Sequence, residues 1–213
     1  MNGVVFWGGT GQARVVRELL AGSPPLVAVV DADPALEPPF ADVPLFHSED
    51  ELRDFIAGRG PLGCLATIGG QRGAVRLQVQ RVMAALGLTP LVAVHRTAFV
   101  ASDATVGPGS QILAQSAVCA GAVLGEACIV NTAASVDHEC TLGDGVHIGP
   151  GAHLAGLVAV EPYVFVGTGA AVLPRLRLGQ GCVVGAGSVV TRDVPPGVVV
   201  AGSPAREIGR RTP

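Results

Sequence analysis

Three of the five histidines, His138, His147 and His153, fall in one short stretch, and a carboxylate, Glu139, follows His138 directly. An imidazole beside a carboxylate is equipped as a general base, because the anion orients the ring and stabilises its protonated form. Two plainer readings compete. His138 can be a solvated surface residue, and the even step from His147 to His153 invites a metal ion. The element that carries these side chains decides between them.

Composition closes several other chemistries. All 14 basic residues are Arg, so Schiff-base and pyridoxal-phosphate catalysis and a Walker A lysine are excluded. A net charge of −3, with no basic run besides the terminal Arg206, Arg210 and Arg211, argues against nucleic acid as a partner. Five cysteines without a CxxC pair, and no secretory apolar region, lead to the expectation of a cytoplasmic protein with reduced thiols. Mean hydropathy is +0.50, yet Gly, Pro or charge interrupts every apolar run, so no membrane insertion is expected. The 213 residues are 49% hydrophobic and 15% charged, enough for one large folded domain or two modest ones. Aromatics are scarce at 4% while Gly reaches 30, which points to tightly turned β-structure with a Val, Ala and Leu core.

From Val100 to Val190 every sixth residue is aliphatic without a miss, running through Val106, Ile112, Val118, Leu124, Val130, Val136, Leu142 and Ile148. Neither a helix nor a flat strand repeats every six residues; short strands joined by tight corners do. Hexapeptide repeats mark a parallel β-helix, and a Val/Gly-rich sandwich would show a period of two instead. Three hexads close one triangular coil, which gives about five coils and a column on the order of 25 Å tall. Cys128, Cys140 and Cys182 hold the small fifth place of their hexads and read as packing residues. His138 and Glu139 hold the third and fourth places, at a corner, where both can project outward. Ala120 and Gly156, one coil away on either side, leave room around the imidazole. His147 and His153 fall on successive, diverging faces, so no metal is expected.

The first hundred residues have another texture. Val4 to Trp7 reads as a buried strand, Gly8-Gly-Thr-Gly11 as a tight turn and Gln12 to Ala21 as a helix. Leu26 to Val30 is a second strand, Ser48 with Glu51 a capping box opening a helix to about Ala57, and Cys64 to Ile68 a third strand. A helix from about Arg72 to Leu86 and a strand from Leu91 to Val94 complete a βαβ pattern, the mark of a small parallel sheet. A glycine turn at a helix N-terminus suits an anion, and Asp31 follows at the spacing from which a carboxylate reaches a ribose or base. A purely structural turn accounts for the glycines as well.

The hexads resemble the left-handed β-helix of the bacterial hexapeptide-repeat acyltransferases, and the ending Val194-Pro-Pro-Gly-Val-Val-Val-Ala-Gly-Ser-Pro-Ala-Arg-Glu-Ile208 is similar to the segment that leaves that prism. With a small βαβ unit in front, the whole chain resembles the sugar O/N-acyltransferases of the sialic-acid acetyltransferase and PglD type. It departs from them at Gln12, where the family has His, and at Ala32, the second of two acidic places. The resemblance implies a Rossmann-like nucleotide-sugar-binding domain at 1–96, a left-handed β-helix acyltransferase domain at 97–196 and a tail at 197–213. It implies acetyl-CoA as co-substrate, a nucleotide-linked amino sugar as acceptor and a homotrimer with a groove between each pair of prisms. In Asn131-Thr-Ala-Ala-Ser-Val-Asp-His-Glu-Cys140 the matching His138 is the general base and Glu139 raises its basicity. His147 matches a contact to acetyl-CoA, and Gly156, Gly167, Thr168, Gly185 and Ala186 match backbone along the pantetheine arm. Structural need at coil corners explains those glycines too. Thr10, Gly11, Gln12, Asp31, Gly69 and Asn131 are the implied substrate-binding residues, and Arg206, Arg210 and Arg211 are open to CoA phosphates or to solvent. The expected activity is N-acetylation of a 4-amino-4,6-dideoxy sugar; O-acetylation of sialic acid or a related sugar, and a non-catalytic scaffold or nucleotide sensor, are the alternatives.

Overall fold

The computed structural model describes residues 1–211. Its first part runs β1 (Val4–Trp7), α1 (Gly11–Leu20), β2 (Leu26–Val30), β3 (Leu45–Phe46), α2 (Glu49–Ile56), β4 (Gly63–Ala66), α3 (Gly73–Ala85) and β5 (Thr89–Pro90). The five strands form one parallel sheet in the order β3-β2-β1-β4-β5. Alternation along the strands sends Val4 and Phe6 to α1 and Val5 to α2 and α3. The capping box forms as expected: Ser48 Oγ accepts the Glu51 amide at 3.2 Å while the Glu51 carboxylate accepts the Ser48 amide at 3.1 Å.

From Ala93 to Val190 the chain is a left-handed β-helix of two-residue strands in three parallel sheets. The aliphatic beat lies inside, and Ile112, Val130, Ile148, Val166 and Val184 are fully buried one above another. Sheets holding Phe99–Val100, Thr105–Val106 and Gln111–Ile112 make the first, second and third faces. Corners obey a second rhythm. Every fourth hexad place from Gly109 to Gly187 is left-handed, with φ between 52° and 76°, including Leu157, Tyr163 and Glu139. Side chains disfavour that region, so the stacked coils must hold it. Val198–Ala201 still pairs in parallel with Val183–Val184, and the chain then reverses into Arg206–Arg210, antiparallel to it.

Two elements differ from the sequence reading. The strand expected at Leu91–Val94 is divided: Thr89–Pro90 closes the edge of the N-terminal sheet, and Ala93–Val94 already pairs with Gln111–Ile112 in the prism. The apolar run straddles two sheets, and Val94 starts the six-residue beat one step before Val100. The short β3 went unforeseen because its two residues pair only through Val29 and Val30. The N-terminal sheet lies over the third face. Leu113 and Ile129 point outward from it into the cluster of Val4, Phe6 and Val16, so the two parts share a core.

Candidate active site

His138 and Glu139 stand on the corner between the first and second faces. The left-handed backbone of Glu139 (φ 58°) turns its carboxylate back, and His138 Nδ1 lies 3.1 Å from Glu139 Oε2. A carboxylate only accepts, so Nδ1 donates and Nε2 keeps its lone pair. The loop is fixed from both sides: Asp137 Oδ1 accepts the His138 amide at 2.7 Å, and the Glu139 amide donates to the Ala120 carbonyl at 2.8 Å. The imidazole rests on Gly156, where a Cβ would come within 2.3 Å of Nε2. Gly156, matched in sequence to the pantetheine path, is therefore the shelf under the base. Half of the His138 side chain, 51%, is exposed.

The other implied acetyl-CoA residues lie elsewhere. Gly167 and Gly185 stack above Asn131 and Gly149 in one column, at the corner between the third and first faces, with Thr168 and Ala186 exposed beside them. A Cβ on Gly167 would meet Ala186 N at 2.7 Å and Val184 O at 2.8 Å, so coil stacking alone demands glycine there. The two groups thus occupy neighbouring edges of the prism, a face apart.

His147 is not open to a ligand through either nitrogen. Nδ1 donates to Gly70 O at 3.1 Å, Nε2 accepts from Asn131 Nδ2 at 3.0 Å, and Phe165 meets the ring edge-on. Only 5% of the residue is exposed. Burial, helped by the nearby Arg76 cation, lowers its pKa to about 4. An unfolded His titrates near 6.5, so below that pH the unfolded chain binds a proton that the folded chain refuses until about 4. Stability from this group is complete above about 6.5 and falls by about 3 kcal/mol as pH drops to 4. Urea titrations across this window are expected to show that slope in the wild type and its loss in His147→Gln.

The second site is a cleft of about 1010 Å³ outside the carboxyl ends of β1, β2 and β4, where the strand order reverses. Such switch points are where open α/β sheets bind ligands. Thr10, Gln12, Asp31 and Gly69 line it, with Gly11 opening α1 beside them. The Thr10 hydroxyl makes no capping bond. Asp31 is partly committed: Oδ2 accepts the Gly9 amide at 2.7 Å and Oδ1 the Asp33 amide at 3.1 Å. Gln12 is committed too, since its amide donates to Gln111 Oε1 at 2.7 Å across the joint with the prism. Asn131 lies outside the cleft, tied to it only through His147 and Gly70.

Sequence reasoning missed His47, Arg72 and the α3 side of this cleft, and it missed Arg76. That guanidinium is fully buried and donates to Ala127 O at 2.7 Å, Ile68 O at 2.9 Å and Gly145 O at 2.8 Å. The signal was present: Arg76 and Gln80 share the buried face of α3 with Met83. Metal binding has no support, for no cluster of three ligating side chains exists among the described residues. Burial raises the Cys64, Cys128 and Cys182 thiols to about 12, which leaves them protonated and unfit as acyl carriers.

No protein-family model matches the chain. A curated 2,3,4,5-tetrahydropyridine-2,6-dicarboxylate N-acetyltransferase of Staphylococcus aureus is 46% identical over 76 residues, a match spanning 32% of this chain and 32% of that protein. Whole-chain likeness comes from solved structures. PerB from Caulobacter crescentus, in complex with CoA and GDP-perosamine, is 36% identical over 98% of both chains, with a TM-score of 0.89. The acetyltransferase domain of PglB from Neisseria gonorrhoeae, in complex with acetyl-CoA, is 33% identical over 97% of this chain and 99% of its own, with a TM-score of 0.86. WeeI from Acinetobacter baumannii follows at 25% identity and 0.83, over 97% of this chain and 99% of its own. Since fold, whole length and sequence agree with these proteins together, the chain belongs to the hexapeptide-repeat sugar N-acyltransferases.

Proposed function

We propose that this chain transfers the acetyl group of acetyl-CoA to the amino group of a nucleotide-linked 4-amino-4,6-dideoxy sugar. The observation that carries this reading is the His138–Glu139 pair, seated on Gly156 with Nε2 free, in a chain alike over 98% of its length to a perosamine N-acetyltransferase. The N-terminal cleft holds the nucleotide through Thr10, Gly11, Gln12, Asp31 and Gly69, and the sugar extends toward a prism edge. His138 Nε2 takes a proton from the sugar nitrogen as that nitrogen attacks the thioester carbonyl. The C–N bond forms, the C–S bond breaks, and the imidazolium returns its proton to the CoA thiolate. Glu139 holds Nδ1–H and stabilises the imidazolium between those events.

The working form is a homotrimer in the cytoplasm, where the five free thiols stay reduced. The edge carrying Gly167, Thr168, Gly185 and Ala186 and the edge carrying His138 are a face apart within one prism. A second prism set against that face brings one copy's glycine edge beside the other's base and covers an imidazole that is open in the single chain. His147 and Asn131 then serve the site by holding the Gly70 loop against the prism. Release of free CoA thiol is expected with one of the GDP-, UDP- or dTDP-linked 4-amino sugars, with a new amide in the product. Transfer only to hydroxyls of free sialic acid would overturn the reading. Two inactive variants, His138→Ala and Ala186→Trp, are expected to recover activity when co-expressed, because mixed trimers contain grooves with both edges intact.

A further inference from the structure

We infer that Arg72 is the cation that binds the diphosphate of the nucleotide and so selects nucleotide-linked over free sugars; this rests on the reading of the cleft given above. Arg72 lines the cleft from the start of α3, on the face that also presents Val75 and Val79, while Arg76 and Gln80 face the prism. Asp31, Asp33 and Glu49 line the same cleft, and Arg72 is the sole guanidinium among its lining residues. Three carboxylates repel a diphosphate, whereas the amides of the glycine turn that opens α1 and the Arg72 guanidinium attract it, and of these two Arg72 alone carries a full charge. The guanidinium is ready for it: among the described residues Arg72 enters none of the six ion pairs. A planar fork of donors matches phosphate oxygens two at a time.

The backbone under Arg72 is fixed. The Arg72 carbonyl accepts the Arg76 amide at 2.9 Å, and Gly73 abuts Gly145 so closely that a Cβ would stand 2.2 Å from Gly145 O. That contact sets Arg72 at the level of the coil that carries His138 and His147, beside the Gly70 carbonyl that His147 holds. Farther along α3, Gln80 reaches Pro108, two coils lower, so Val79 and Val82 offer the base an apolar ledge below the phosphates. A nucleotide lying along α3 therefore delivers its sugar at the height of the base.

The test is calorimetric titration of GDP, UDP and dTDP, each beside its nucleoside, into wild type, Arg72→Ala and Arg72→Lys. Arg72 is exposed, so these variants keep the wild-type thermal midpoint. Arg72→Ala is expected to weaken the bound diphosphate by about ten- to thirty-fold and to leave the nucleoside unchanged, as loss of a charge-assisted hydrogen bond does. Arg72→Lys is expected to recover part of the loss, and added salt to narrow the gap between variants. An unchanged ratio of diphosphate to nucleoside affinity in Arg72→Ala overturns this inference and leaves the cleft as the nucleotide site. A wild type that binds none of the three diphosphates overturns both.

Discussion

His138→Ala is expected to slow acetyl transfer by about 10²–10⁴-fold, the usual worth of a positioned general base, while CoA affinity is kept. The other groups on that corner are carboxylates, which are weaker bases than imidazole. The side chains around it are Asp137, whose Oδ1 is bound to the His138 amide, and Glu139, whose Oε2 is bound to Nδ1. Glu139→Gln separates the two duties of the carboxylate. The amide oxygen can still accept from Nδ1–H and keep the tautomer, but it cannot stabilise the imidazolium, so the expected loss is smaller and falls on kcat. Gly156→Ala probes position alone. Its methyl would enter the space of the imidazole at 2.3 Å from Nε2, and the ring has to leave its shelf. Loss of turnover in that variant with acetyl-CoA binding intact gives Gly156 its place under the base; full turnover removes it. Free-thiol release for turnover and a CoA titration for affinity distinguish these outcomes.

The prism was legible because its interior admits one kind of side chain at one period. An inward place in a triangular coil cannot tolerate charge or a long polar group, so Val100 to Val190 repeat without error. The His138–Glu139 pair was legible for the complementary reason: a corner is the one place where adjacent side chains can both face out. Outward strand places carry no such constraint. Gln111, Ile129 and His147 are buried against the N-terminal sheet, while Thr105, Val123 and Thr141 on another face are exposed, and nothing in the residue types separates the sets. The joint between the two parts was therefore hidden, and with it the commitment of His147 to Asn131 and Gly70. Asp31 lay at the right distance along the chain, but part of its carboxylate is used to hold the glycine turn. The left-handed fourth place escaped notice because half of its occupants are not glycine, and only stacking between coils holds them there.

Arg76→Met is expected to be the most destabilising single change at that joint. The guanidinium is fully buried and faces carbonyls in place of a carboxylate: Ile68 beyond β4, and Ala127 and Gly145 on two successive coils. Burial lowers its pKa to about 10, which still leaves it charged at neutral pH. A buried cation without a counter-ion is costly to install, so its removal alone would relieve the fold. The carbonyls decide the sign. Methionine fills much of the volume but leaves three buried acceptors unpaired, at about 1–3 kcal/mol each, so the net loss expected is about 4 kcal/mol. For a chain of this length that lowers the thermal midpoint by roughly 10 °C. Arg76→Lys keeps the charge but has one ammonium to serve carbonyls in three directions, and an intermediate shift is expected. The damage also reaches the chemistry, because Arg76 fixes α3 and the Gly69–Gly70 turn against the coil of His138. Below its lowered midpoint Arg76→Met is expected to keep CoA affinity, which belongs to the prism, and to lose nucleotide affinity. Calorimetry at constant pH with parallel titrations of CoA and nucleotide checks both; an unchanged midpoint would show that the carbonyls find other donors and that the joint does not depend on Arg76.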